Sequence, residues 1–178
     1  MSDISKDTTL KELAALVSTA LENANVEAVL VGGAAVSLYS DNVYQTYDLD
    51  FITRHSGEAI SSALEPLGFT RKGKERHWEN PNTEFLVEFP AGNLSFGETD
   101  MPIESAGTVS SSLGTIRVIT PTQSVMDRMA AYIHWGDNQS REQAVMVIQN
   151  NPIDWEMFYS WAKSEKIDVS VIDSLRYK

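Results

Sequence analysis

The sequence predicts an α+β fold in which a small mixed β-sheet is flanked by helices and followed by a C-terminal helical tail. Two observations carry this prediction. Short β-rich runs alternate with helical patterns up to about residue 120, and only helical patterns follow from residue 121 onward. We therefore expect a core over residues 1–120 and a helical extension, packed on that core, over residues 121–178.

Seven elements are predicted before residue 121. Thr9 and Glu12 form a capping-box signature that begins the first helix. In chain order we predict a helix over 9–24, a strand over 26–31, a short helix over 34–40, a strand over 46–53, a helix over 56–68, a hairpin over 69–90 and a strand over 114–120, which ends at Pro121. Residues 91–114 give weak signals and are predicted as loop with at most one short strand.

Three helices are predicted in the tail, over about 122–135, 140–150 and 154–165. Their candidate N-caps are Thr122, Ser140 and Asp154, because these side-chain oxygens can accept a hydrogen bond from the first helical turn. The last two helices are separated at Pro152, since the residue before a proline disfavours helical backbone.

Composition limits the class of protein. The 178 residues include 14 Lys and Arg against 25 Asp and Glu, a formal charge of −11, which argues against broad binding of duplex DNA because phosphates need neutralising cations. Cys is absent and only three His are present, so disulfides and thiolate sites are excluded and a zinc cage is disfavoured. The chain start does not resemble a leader, and no stretch approaches the roughly 18 apolar residues of a membrane span. We expect a cytoplasmic protein.

The chemically informative residues are a glycine pair and two aspartates. Gly32 and Gly33 lie between a strand and a helix, where the backbone can approach a ligand closely and unpaired N–H groups can bind phosphate oxygens. Asp48 and Asp50 alternate along the next strand, so both lie on one face. Clustered carboxylates repel one another unless a cation lies between them, and Mg²⁺ suits such a site. Glu88, on a later strand, is the candidate third carboxylate.

This pattern resembles the nucleotidyltransferase superfamily related to DNA polymerase β. The superfamily motif is Gly-Gly or Gly-Ser, a spacer and a hydrophobic-flanked Asp-x-Asp, with a later acid on a neighbouring strand. The sequence motif GGAAVSLYS…TYDLDF is most similar to that of the AbiEii-type group, which includes toxins of bacterial abortive-infection systems. Arg128 matches a Lys or Arg that this group carries before small residues in a later helix. The resemblance covers roughly residues 26–165, and only its first motif is specific.

The resemblance implies a metal-dependent enzyme that transfers a nucleoside monophosphate from an NTP to a hydroxyl of a protein or RNA. A cognate toxin or antitoxin is a further implied partner. The implied catalytic residues, which also hold Mg²⁺ or Mn²⁺, are Asp48, Asp50 and Glu88. The implied nucleotide-binding residues are Gly32, Gly33 and Arg128.

Two other functions stay open at this point. One is a catalytically silent nucleotidyltransferase-fold module that binds or regulates a toxin–antitoxin partner. It is favoured by Glu88 standing where Asp is more usual and by the absence of the group's Arg-Asp pair in the region 137–143. The other is an Asp-based phosphatase or nuclease, although such sites place the Asp-x-Asp pair after the first strand and lack the preceding Gly-Gly turn.

Two further features have ordinary structural explanations. The basic run over 71–77 is expected to be a solvated hairpin arm, although it is also placed to touch a phosphate. The four tryptophans are expected to anchor the core rather than to stack on bases. They are Trp78, Trp135, Trp155 and Trp161.

Overall fold

The computed structural model describes residues 4–177, in which seven α-helices accompany nine strands. The helices are α1 (Leu10–Asn23), α2 (Gly32–Tyr39), α3 (Gly57–Leu64), α4 (Pro121–Trp135), α5 (Asn138–Asn150), α6 (Trp155–Ser164) and α7 (Val169–Arg176). The strands are β1 (Ala28–Val31), β2 (Asp48–Thr53), β3 (Thr70–Arg71), β4 (His77–Glu79), β5 (Leu86–Glu88), β6 (Ser95–Phe96), β7 (Thr99–Asp100), β8 (Gly107–Ser111) and β9 (Gly114–Val118).

Seven of these strands form one mixed sheet, in the order β3-β4-β5-β2-β1-β9-β8, while β6 and β7 pair as a separate ribbon. β1 runs antiparallel to β2 and parallel to β9, and β2 runs parallel to β5. The mixture of pairings, with helices packed around the sheet, confirms the predicted fold class. The candidate chemical residues lie on and beside the central strands β1, β2 and β5.

The first helix shows how the sequence builds the core. The predicted capping box is present: the Glu12 amide donates to Thr9 Oγ1 at 3.3 Å, and the Thr9 amide donates to Glu12 Oε2 at 2.9 Å. The apolar stripe, which includes Leu13 and Val17, is fully buried where α1 packs on β1 and β9. Burying each such side chain contributes roughly 1.5–3 kcal/mol, which holds the helix on the sheet.

Residues 91–114 are more ordered than predicted. They contain β6, β7 and β8, so the prediction of a loop with at most one strand is wrong. β8 pairs antiparallel with β9 along its whole length, at the edge of the sheet. Its sequence, GTVSS, gives only a weak β signal, and every second side chain is exposed to solvent. Backbone pairing with β9, which local sequence does not reveal, holds the strand in place.

The start of the helical tail differs from the prediction. Thr120, not Thr122, caps α4: the Gln123 amide donates to Thr120 Oγ1, and Gln123 Oε1 accepts from the Thr120 amide at 2.9 Å. Pro121 is therefore the first residue of the helix, where its missing N–H costs nothing. The predicted cap Ser140 is also wrong, because Asp137 caps α5 and leaves Ser140 in its first turn.

The rest of the tail contains one confirmed cap and one helix that was not predicted. Asp154 caps α6 as expected, accepting from the Met157 amide at 2.9 Å. α7 follows, capped by Asp168 and held by the buried side chains of Ile172 and Leu175. α4 and α5 contact α2, whereas the division of the chain at residue 120 stays a prediction. Within residues 4–177, no helix has the length and apolarity needed to cross a bilayer.

Candidate functional site

The turn from β1 into α2 has no room for a side chain at its first residue. Gly32 begins the helix with φ +64°, a left-handed conformation that favours glycine. A Cβ at this position would lie 3.0 Å from Asp50 Oδ2. The carboxylate of Asp50 therefore sits directly against the turn, whose first helical N–H groups lack intrahelical acceptors. A phosphate bound at this turn would lie next to that carboxylate.

The second glycine of the pair has a different neighbour. A Cβ at Gly33 would lie 3.0 Å from Cε1 of Tyr44, a residue of the loop between α2 and β2. Two hydrogen bonds hold that loop: Ser37 Oγ donates to the Tyr44 carbonyl at 2.7 Å, and the Tyr44 amide donates to Ser40 Oγ at 3.2 Å. A side chain at Gly33 would thus crowd the ring of Tyr44, and the predicted role of Gly33 in nucleotide binding stays a prediction.

Strand register brings the acidic residues to one side of the sheet. β2 and β5 pair in parallel, with Asp50 opposite Glu88 and Leu49 opposite the buried Val87. Paired residues of neighbouring strands share a face, so Asp50 and Glu88 project to the same side, and Asp48 follows by the period of two. Asp50 and Glu88 are half-buried, whereas Asp48 is exposed at the start of the strand.

The charge on this face is not balanced. Burial raises the pKa of Asp50 to about 6, and the negative charges of Glu88 and Asp48 act in the same direction. Arg128 opposes the rise, and Asp127 adds to it. A carboxyl whose pKa is raised by two other carboxylates lies in negative potential, which a bound cation would relieve.

The carboxylates of this face offer part of what a divalent ion requires. Among residues 4–177, no three His, Asp or Glu side chains are arranged to enclose a metal ion by themselves. Mg²⁺, however, is commonly bound by one or two carboxylates together with substrate phosphates. The oxygen chemistry of Asp48, Asp50 and Glu88, beside a turn suited to phosphate, fits an ion that is completed by a nucleotide.

Arg128 reaches this site from α4. Its Nη2 lies 3.9 Å from where a Cβ of Gly32 would be. Its orientation is set by Asp127, whose Oδ2 accepts from Nη2 at 2.7 Å and from Nε at 3.1 Å, and by Gln143, whose Oε1 accepts from Nη1 at 3.2 Å. A guanidinium has five N–H groups, so two remain for an anion beside Gly32.

A cavity of about 620 Å³ extends from Arg128 along α4. Its other wall is the ribbon of β6 and β7. The residues that line it are Ser95, Gly97, Glu98, Asp127, Arg128, Ala130, Ala131, His134 and Trp135. This volume lies within the ordinary range of small-molecule sites.

The expectation that all four tryptophans anchor the core is wrong for one of them. Trp78 and Trp161 are buried and Trp155 is half-buried, but Trp135 is 83% exposed. Trp135 is the last residue of α4, where Gly136 ends the helix in a left-handed conformation. The helix therefore stops with its terminal indole at the rim of the cavity.

The basic run is largely satisfied by its own neighbours. The Arg71 guanidinium lies over the Trp78 ring, 4.9 Å from its centroid, and Lys72 pairs with Glu79 at 2.9 Å. This supports the prediction of a hairpin arm. The ring of His77 also contacts the arm, with Nε2 3.0 Å from Glu75 Oε2 and 3.2 Å from Glu79 Oε1. His77 lies opposite Glu88 across β4 and β5 and so shares the face of the acids.

The structure therefore brings most of the predicted site residues together. The group that converges is Gly32, Asp50, Glu88 and Arg128, with Asp48 at its exposed end. Sequence reasoning missed Gln143, the exposure of Trp135 and the position of His77 opposite Glu88, although it included His77 in the basic run. Local pattern gives no signal for these, because each depends on which element packs beside which.

Comparison with known proteins supports this fold. The sequence matches no family model and no curated relative. The structure is similar to an antigenic nucleotidyltransferase-like protein from Paracoccidioides brasiliensis, with a TM-score of 0.58 and 19% identity over 83% of this chain and 77% of that chain. It is also similar to the antibiotic-resistance factor ANT(2'')-Ia, with a TM-score of 0.53 and 14% identity over 94% and 95% of the two chains. The chain thus has the nucleotidyltransferase fold that its sequence predicts.

Proposed function

We propose that this protein is a metal-dependent nucleotidyltransferase that moves a nucleoside monophosphate from an NTP to a hydroxyl group. The observation that carries the proposal is the meeting of three groups. Asp50 touches the position of a Gly32 side chain, Glu88 stands opposite Asp50 in register, and Arg128 approaches the same turn. Phosphate-binding backbone, carboxylates for a cation and a fixed guanidinium are what such a transfer needs.

Each residue has a role in the proposed reaction. The hydroxyl oxygen of the acceptor forms a bond to the α-phosphorus while the bond from that phosphorus to the leaving pyrophosphate breaks. Glu88 accepts the hydroxyl proton, and Arg128 donates to the oxygens of the leaving pyrophosphate. Asp48 and Asp50, together with the phosphates, would hold Mg²⁺ or Mn²⁺, which would supply the positive charge that the acidic face lacks and would lower the pKa of the attacking hydroxyl.

The acceptor and the subgroup are finer parts of the proposal. We propose a hydroxyl of a protein or RNA as acceptor and membership of the AbiEii-type group, with a toxin–antitoxin partner. These rest on the resemblance of the Gly32-Gly33 and Asp48–Asp50 motif alone. The acidic chain favours a small nucleotide with a specific acceptor over a long duplex.

The test is transfer of label from NTPs labelled at the α-phosphate, in the presence of Mg²⁺ or Mn²⁺, to protein and RNA fractions of a cell extract. We expect labelling that a chelator abolishes and that Asp50→Asn abolishes. Asp7→Asn is the matched control, because Asp7 is exposed and lies before α1. Full labelling by Asp50→Asn would falsify the proposal, whereas metal-dependent NTP binding with no transfer would favour the catalytically silent module.

A further inference from the structure

Trp135 is the feature that the proposed transfer does not yet use. Tryptophan is highly buried on average, and the other three tryptophans of this chain are buried or half-buried. Trp135 instead lies at the rim of the cavity that begins at Arg128. Its exposure is not explained by packing within residues 4–177.

The cavity is lined by both this indole and Arg128, the residue proposed to meet the phosphates. Arg128 and Trp135 stand seven residues apart on α4, so they lie on one side of the helix and about 10 Å apart along its axis. Both line the same cavity. A ligand whose phosphates meet Gly32 and Arg128 would extend along α4 toward Trp135, a distance comparable to the extended length of a nucleoside phosphate.

The ribbon of β6 and β7, which forms the cavity wall opposite α4, is held by hydrogen bonds to Glu165. The backbone amide of Glu98, in the turn between β6 and β7, donates to both carboxylate oxygens of Glu165 at 3.1 Å. His134 Nε2, on α4, lies 3.2 Å from Glu165 Oε2. One carboxylate thus ties the ribbon to α4 and α6, and a Cβ at Gly97 would overlap it. The space beside Trp135 is a preformed slot.

We infer that Trp135 is the platform on which the nucleobase of the NTP stacks, with the base lying between the indole and the ribbon of β6 and β7. This inference rests on the proposed function, because it places the nucleotide by its phosphates. An indole face accepts any base, and such stacking depends little on base identity. The slot therefore selects nucleotides from other polyphosphates rather than one nucleotide from another.

The acceptor is the other molecule that this slot could hold. The slot lies between α4 and the ribbon, and both Arg128 and Trp135 line it. A ligand that occupies it from Arg128 to Trp135 must carry a phosphate at one end and a flat ring at the other. The nucleotide meets both requirements, whereas an acceptor hydroxyl needs only the acidic end.

The test compares two ligands and two variants by calorimetry in Mg²⁺. ATP carries a base and inorganic tripolyphosphate does not. Trp135→Ala should weaken ATP binding about 5- to 150-fold and leave the Kd of tripolyphosphate unchanged. Because the side chain is exposed, the variant should fold normally, and circular dichroism checks this. Trp155→Phe, which alters a tryptophan that does not line the cavity, should change neither Kd.

Fluorescence supplies a second readout that needs no turnover. ATP should quench the tryptophan emission of the unmodified protein and of Trp155→Phe, and Trp135→Phe should lose that quenching. If Trp135→Ala weakens both ligands alike, or neither, and quenching survives in Trp135→Phe, the stacking inference is overturned while the transfer proposal stands. If the unmodified protein binds neither ATP nor tripolyphosphate, the proposed function fails and the inference fails with it.

Discussion

The two halves of the candidate site are held by different kinds of structure. The acidic half lies on the sheet, where the pairing of β2 with β5 sets Asp50 opposite Glu88. The basic half lies on α4, where two side-chain partners, Asp127 and Gln143, orient Arg128. Backbone pairing places a side chain without help from other side chains, whereas the helix half depends on a hydrogen-bonded group. Substitutions should therefore act differently in the two halves.

The largest effect is expected in the acidic half. Glu88→Gln keeps the shape of the side chain and removes its charge and its ability to take a proton. We expect the rate of transfer to fall by about 10²–10⁴-fold with little loss of folding stability. Glu84→Gln, an exposed position just before β5, is the control and should keep full activity. Equal rates in the two variants would remove Glu88 from the mechanism.

A somewhat smaller effect is expected in the basic half. Arg128→Lys keeps the charge but loses the fork that contacts both Asp127 and Gln143, because an ammonium cannot reproduce that planar geometry. We expect a loss of about 10²-fold in kcat/KM. Gln143→Ala should give part of the same loss by freeing the guanidinium. If Gln143→Ala matches the unmodified protein, the orientation of Arg128 does not depend on that hydrogen bond.

The close approach of Asp50 to the glycine turn can be measured by substituting Gly32. Gly32→Ala forces a side chain into a left-handed conformation and against the Asp50 carboxylate, and we expect about 2 kcal/mol of destabilisation together with lost activity. Gly73→Ala has nearly the same φ, +62°, but no atom within 4 Å of the new Cβ. It should lose only about 1 kcal/mol and keep its activity. The difference between the two free energies of unfolding isolates the contact with Asp50.

The smallest effect is expected at Glu165, the residue that ties the ribbon of β6 and β7 to α4 and α6, and this effect depends on pH. Burial acts to raise the pKa of Glu165, but hydrogen bonds from Thr99, the Glu98 amide and His134 outweigh it and lower the pKa. A carboxylate whose pKa is lowered in the folded state stabilises the fold at pH values above its unfolded pKa of 4.5. This stabilisation is lost as the pH falls through the folded pKa.

Urea unfolding of Glu165→Gln should therefore show a loss of about 1 kcal/mol at neutral pH. The deficit relative to the unmodified protein should shrink as the pH falls below 4.5. A deficit that is constant with pH would show that the carboxylate charge contributes nothing to holding the ribbon.

Local sequence patterns predicted most of the elements because these depend on neighbouring residues. The capping box at Thr9 and Glu12, the alternation of Asp48 and Asp50, and the cap at Asp154 all act within a few positions. The errors also have local causes. Thr120 lies two residues before the predicted cap, because Pro121 is the first residue of α4 rather than the end of the preceding strand.

What the sequence determined by itself is the order of most elements outside residues 91–114 and the last helix, the glycine turn and the shared face of the two aspartates. These follow from residue type and spacing along one stretch of chain. Only the tertiary structure decided that Glu88 stands opposite Asp50, that Gln143 and Asp127 aim Arg128 at Gly32, and that Trp135 remains exposed. Strand register and helix packing join residues far apart in the chain, and their outcome depends on how all the elements bury their apolar surfaces together.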